Sequence, residues 1–100
     1  MANLTDLQTY PFDVLNKETG ETEKHFGVGF CLDSVTFNIS YSDFSFVRFD
    51  YDESTDKNIF SFNSIRATLT LKQSQDIIFG MLAASKLQQE ETNKRLRLKS

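Results

Sequence analysis

The sequence predicts an α+β fold: an antiparallel β-meander of about five strands packed by one C-terminal α-helix. Three observations carry this reading. Apolar and polar residues alternate over several short runs before residue 70. Turn-forming pairs, Asp33-Ser34 and Ser42-Asp43 among them, punctuate those runs. After Thr70 the apolar spacing changes to the threes and fours of a helix. One hundred residues is the size of a single domain, so 1–100 is read as one unit.

Residues 1–9 are polar and unpatterned, and a frayed start or a short helical turn is expected there. Pro11, the sole proline, suits the first residue of a strand or an edge position, where a missing N–H is harmless. Strands over about 11–18 and 22–32 flank Gly20, which can adopt the positive φ a hairpin needs. In the second strand Phe26, Val28, Phe30 and Leu32 share one face. His25, Gly27, Gly29 and Cys31 share the other. Its two glycines leave that face open to another backbone or a bulky ring.

Val35, Phe37, Ile39 and Tyr41 alternate with Thr36, Asn38 and Ser40, the pattern of a half-buried strand. Phe44 to Tyr51 is apolar in both phases: Phe44 and Phe46 in one, Val47, Phe49 and Tyr51 in the other. That reads as a strand covered on both faces. An acidic loop spans 50–58, and pairing resumes at Ile59. Phe60 and Phe62 have one parity and Ile65, Ala67 and Leu69 the other, so a bulge or break is expected at Asn63-Ser64.

Thr70 and Gln73 have the spacing of a capping box, in which each side chain bonds the other's backbone N–H. Ile77, Ile78, Met81, Leu82 and Ser85 give the stripe expected to face the sheet, with Ala84 and Leu87 beside it. Gly80 inside the helix suggests a close approach to the sheet. The stripe stops after Leu87. The helix is therefore expected to end near residue 93, with 94–100 flexible.

Ten Phe and no Trp is the unusual feature of the composition. Phe carries a large apolar area and no polar handle, so these rings should form most of the core, with some left for a partner. No apolar run is long enough to span a membrane and no secretory leader is visible, so no membrane association is expected. With a single Cys31, a reducing compartment is the simplest expectation, and the chain is read as cytoplasmic.

The net charge of −3 is unevenly placed. Residues 1–60 hold four Lys/Arg against eleven Asp/Glu, a net −7, while 61–100 hold seven against three, a net +4. Glu18, Glu21 and Glu23 decorate the first hairpin, and Asp50, Asp52, Glu53 and Asp56 the later loop. If both tips lie at one end of the sheet, they form a negative surface for a partner. The opposing reading is that they are solvated tips that protect sheet edges. Asp50, Asp52, Ser54 and Asp56 repeat the alternation that opens a calcium loop. Thr55 stands where the loop needs Gly, and Ser61 where it needs Glu, so an acidic hairpin loop is the better reading. Lys94, Arg95, Arg97 and Lys99 form a basic tail, either solvated cations at a helix end or a weak, salt-sensitive nucleic-acid contact.

His25 and Cys31 lie six residues apart on one strand, too far to share a proton or a metal. No phosphate loop, dinucleotide fingerprint, zinc-ligand spacing or nucleophile elbow is present, so no catalytic residue, metal or cofactor is assigned. The expected function is a small non-catalytic protein–protein interaction module, such as an inhibitor or accessory protein of phage or mobile-element type. It would act through an acidic or aromatic surface on a larger target or on itself as a homodimer. A nucleic-acid-binding accessory protein using the basic tail is the first alternative. A small-ligand domain with a pocket near Gly27 and Gly29 is the second.

Overall fold

The computed structural model describes the backbone of residues 3–99 and the side chains of 3–97. Met1, Ala2 and Ser100 lie outside the described residues, as do the side chains of Leu98 and Lys99. The order of elements is β1 (Leu4–Leu15), β2 (Thr22–Leu32), β3 (Val35–Ser40), a 3-10 helix (Tyr41–Phe46), β4 (Arg48–Asp52), β5 (Lys57–Phe62), β6 (Ile65–Leu69) and α1 (Leu71–Lys99). This is the expected α+β architecture, antiparallel strands followed by one C-terminal helix. The strands form two sheets of three, β1-β2-β3 and β4-β5-β6.

Turn chemistry fixes the hairpins. Asn16 organises the first: its N–H donates to the Glu21 carbonyl (2.8 Å), and its side-chain oxygen accepts from the Glu18 N–H (3.0 Å). Leu32 pairs with Val35 and Phe62 with Ile65, so each of those turns has two residues. Asn63 and Ser64 both have positive φ (53° and 66°), the conformation whose twist matches a two-residue hairpin. Of the bulge or break expected from the parity switch, the structure has the break, a full reversal between β5 and β6.

The meander divides where the sequence is apolar in both phases. Tyr41–Phe46 coils into a 3-10 turn, and only Arg48–Asp52 stays extended. The expected two-faced strand over Phe44–Tyr51 is thus a helical turn followed by a strand. The phase change arises because Phe44 belongs to the turn while Phe49 belongs to the second sheet. Both pack against one core.

The sheets meet through phenylalanine rings. Phe30 stacks on Phe37 with centroids 5.2 Å apart, and Phe60 from the other sheet meets both edge-on at 5.7 and 5.3 Å. Phe49 closes on Phe60 at 5.6 Å. Val28, Ile39, Phe60, Ile77 and Ala84 are fully buried around this cluster.

Residues 4–9 form the first half of β1 rather than a frayed start or a helical turn. The Asn3 N–H donates to Asp33 Oδ1 (3.0 Å), and the Asp33 N–H donates back to the Asn3 carbonyl (2.9 Å). The pattern is hidden because β1 is an edge strand with a register shift between Thr5 and Gln8, where Asp6 has a φ of 58°. Pro11 sits on that edge strand, as its chemistry requires.

The capping box forms as expected. The Gln73 N–H donates to Thr70 Oγ1 and the Thr70 N–H to Gln73 Oε1, each at 3.0 Å. The helix then runs 29 residues, through Lys99 instead of ending near 93. Its inner face is Ser74, Ile77, Met81, Ala84 and Gln88, with Ile77 and Ala84 fully buried. Ile78 and Leu82, expected inside, face out at 37% and 60% exposure. The stripe misleads because Ser74 and Gln88 hold inner positions while Ile78 and Leu82 hold outer ones. The long helix draws the molecule out to 53 × 21 × 21 Å, with a radius of gyration of 15.6 Å against about 13 Å for a compact chain of this length.

The bare face of β2 is filled by both expected means. The Tyr10 ring lies over Gly29 and the Phe12 ring over Gly27, where the Ile39 carbonyl also closes in. A side chain at Gly27 would meet Phe12 Cε1 at 2.8 Å and Ser40 Cα at 3.0 Å. Gly80 differs: a Cβ there would sit 3.5 Å from Val28 and 3.6 Å from Leu7, ordinary contact distances.

These placements set the response to substitution, which urea titration would measure. Ile77→Ala should cost about 2–5 kcal/mol, and Ile78→Ala less than about 1 kcal/mol. Gly27→Ala should cost about 1–3 kcal/mol by overpacking, whereas Gly80→Ala should stabilise the fold by roughly 0.5–1 kcal/mol through helix propensity.

Candidate functional site

The β1–β2 hairpin is longer than its sheet. β3 pairs with β2 only from Gly27 to Leu32, so among the described residues Thr22–Phe26 has no strand beside it on that edge. The second half of α1 fills the gap. The Phe26 N–H donates to the side-chain oxygen of Gln88 (2.8 Å), which is only 4% exposed. Two turns on, Arg95 Nη1 lies 2.6 Å from Glu23 Oε2. Glu23 Oε1 accepts from Asn16 Nδ2 (2.8 Å), and His25 Nε2 lies 3.4 Å from Glu23 Oε2. The Asn16 hydrogen bond, then Arg95 and His25, holds the Glu23 carboxyl down at about 2. Of the tail cations, Arg95 is thus bound to the hairpin. Lys94 and Arg97 are exposed, and the Lys99 side chain lies outside the described residues.

The later acidic loop is held by its own contacts. Asp52 Oδ1 accepts from the Ser54 N–H (3.0 Å) and hydroxyl (2.6 Å), and its bonds to Ser54 and Thr55 keep the carboxyl below the usual range. Asp56 accepts from the Tyr51 hydroxyl (2.5 Å), which pushes that phenol up. Asp50 lies 3.6 Å from Arg48, and Glu53 is exposed. Among the described residues no group of three His, Cys, Asp or Glu side chains converges as for a metal ion.

The two acidic tips do not meet. Asp56 and Lys57 border a hollow with Thr70 and Leu71 at the start of α1, while Glu23 pairs with Arg95 near its end. Those helix positions are roughly 36 Å apart. The single negative surface that both tips would form if they lay at one end is therefore not assembled. Glu18 and Glu21 remain solvated at the hairpin tip, and Glu23 is neutralised by its ion pair. His25 and Cys31 also stay apart, the first beside Glu23 and the second 3.5 Å from the Thr36 hydroxyl.

A different surface stands out. Along the outer side of α1, Leu71, Phe79 and Leu82 are 60–63% exposed and Ile78 37%. Tyr41 of the 3-10 helix borders the same strip across a shallow hollow lined by Leu82, Ser85, Lys86, Gln89 and Thr92. The sequence held a signal for it. Ile77-Ile78 and Met81-Leu82 are adjacent apolar pairs, and neighbours on a helix point about 100° apart, so one narrow stripe cannot bury all four. Among the described residues no helix is long and apolar enough to cross a membrane.

The clasp at Glu23 predicts an acid-sensitive contribution to stability. The folded carboxyl titrates at about 2 against a reference of 4.5. Its contribution is full above the reference value and is lost as pH falls towards the folded one. Glu23→Gln should lower the Tm at neutral pH, and the gap from the unmutated protein should close between pH 4.5 and 2 in circular-dichroism melts.

Comparison with protein-family models, with curated proteins and with solved structures finds no match to this chain.

Proposed function

We propose that the protein is a non-catalytic protein-interaction module whose working surface is the outer face of α1, beside the 3-10 helix, rather than the acidic tips. The observation that carries this reading is the strip formed by Leu71, Ile78, Phe79 and Leu82, exposed on a helix fastened at both ends. Large apolar side chains grouped in this way mark contact surfaces more often than scattered ones do. A rigid helix also presents them at little ordering cost.

The other readings draw less support. A basic tail for nucleic acid would need its cations available, yet Arg95 is paired with Glu23 and 28% exposed. A small-ligand pocket over Gly27 and Gly29 would need the space that Tyr10 and Phe12 occupy.

The test uses exposed positions, where polar substitution leaves the fold intact to within about 0.5–1 kcal/mol. Phe79→Ser with Leu82→Ser should abolish association with whatever protein the unmutated chain binds, with little change in Tm. Glu18→Lys with Glu21→Lys should leave association unchanged. Loss of binding in the hairpin variant alone would move the working surface to the tip and overturn the reading.

A further inference from the structure

The outer face of α1 carries a charge order that is its own complement. Lys72, Asp76, Phe79, Ala83, Lys86 and Glu90 recur at alternating steps of four and three, so they lie along one side of the helix. That side is nearly opposite the inner row of Ser74, Ile77, Met81, Ala84 and Gln88. Five of the six are exposed, and Asp76 is partly so. Read in order, the row is cation, anion, large apolar, small apolar, cation, anion. Reversing the row and laying it on itself puts Lys72 opposite Glu90, Asp76 opposite Lys86, and Phe79 opposite Ala83. Each pair occurs twice.

From this match we infer that the occupant of the α1 face is a second copy of the chain, docked antiparallel about a two-fold axis at the level of Met81. The inference rests on the interaction reading above and names its partner. In this register each Phe79 ring enters the space left by the partner's Ala83, the small-against-large packing that brings helices close. Leu82, 60% exposed, meets its twin beside the axis. Four charge pairs, two of each kind, flank this apolar centre. The parallel arrangement would set Lys72 on Lys72 and Asp76 on Asp76, so charge selects the antiparallel one. Within one chain Lys72 lies 3.5 Å from Asp76, with side chains 83% and 38% exposed, so the row is still open to a partner.

The test is sedimentation velocity of the full chain over a wide concentration range. The unmutated protein should pass from monomer to dimer as concentration rises. Lys86→Glu sets like charges opposite Asp76 twice in its homodimer, and Asp76→Lys does the same opposite Lys86. Each alone should weaken dimerisation by at least about tenfold. Mixing the two variants should restore the dimer. On one side of the axis the two introduced charges then face each other, and on the other the unmutated Asp76 of one chain faces the unmutated Lys86 of its partner. Lys72→Glu mixed with Glu90→Lys repeats the test should either first variant melt early. An unmutated protein monomeric at every concentration overturns the inference, as do single variants that dimerise normally or a mixture that stays monomeric. If the monomer still binds another protein in a Phe79-dependent way, only the self-association falls and the interaction reading stands.

Discussion

The constraint on which the rest depends is the mismatch in length between the β1–β2 hairpin and β3. Eleven residues of β2 face six of β3, so among the described residues five are left without a strand on one side. An open edge of backbone donors and acceptors invites pairing with other chains. Here the Gln88 side chain takes the Phe26 N–H, and the Glu23–Arg95 pair fixes the helix alongside. A helix that must reach this far runs straight past the sheets. Its outer side, where Leu71, Phe79 and Leu82 are exposed, is left largely uncovered among the described residues.

At the other end the constraint is aromatic. Phe30, Phe37 and Phe60 form a triangle with centroid separations of 5.2–5.7 Å, and two of the rings belong to one sheet and one to the other. Because the two sheets share no strand, they are joined by packing: this triangle, Leu69 and Phe49 beside it, and α1. The abundance of Phe without Trp suits the task. A buried indole would need a partner for its N–H, whereas a benzene ring needs only neighbours.

Much of this was legible in the sequence. The turn at Asp33, the capping box of Thr70 and Gln73, the inward row of Val28, Phe30 and Leu32, and the covered glycines of β2 all follow from local chemistry. At the helix, what was hidden has one physical cause: polar side chains doing inward work. Gln88, Glu23 and Arg95 look like surface residues because their type says so, yet they close the hairpin edge. Counting them as solvent-facing shortened the helix by two turns and left the tail free. The N-terminal strand, held through the Asn3 backbone and Asp33, has no apolar alternation to announce it because its register shifts between Thr5 and Gln8. The candidate surface was half legible. The surplus of apolar side chains was visible, but it was placed on a strand between Phe44 and Tyr51, and in the fold it lies on α1.

The helix is held by unlike means along its length. Its first half is held by Ile77, Met81 and Ala84 against the sheets, its second by Gln88 and Arg95. Apolar burial weakens on cooling, and ion pairs weaken with added salt. One continuous helix therefore contains two segments with separate environmental responses. Cold loosens the end near the second sheet, and high ionic strength loosens the end at the hairpin. Hydrogen exchange along α1 would show a step between Ser85 and Gln88 whose height depends on salt, with the last turns opening locally while the rest of the domain stays closed.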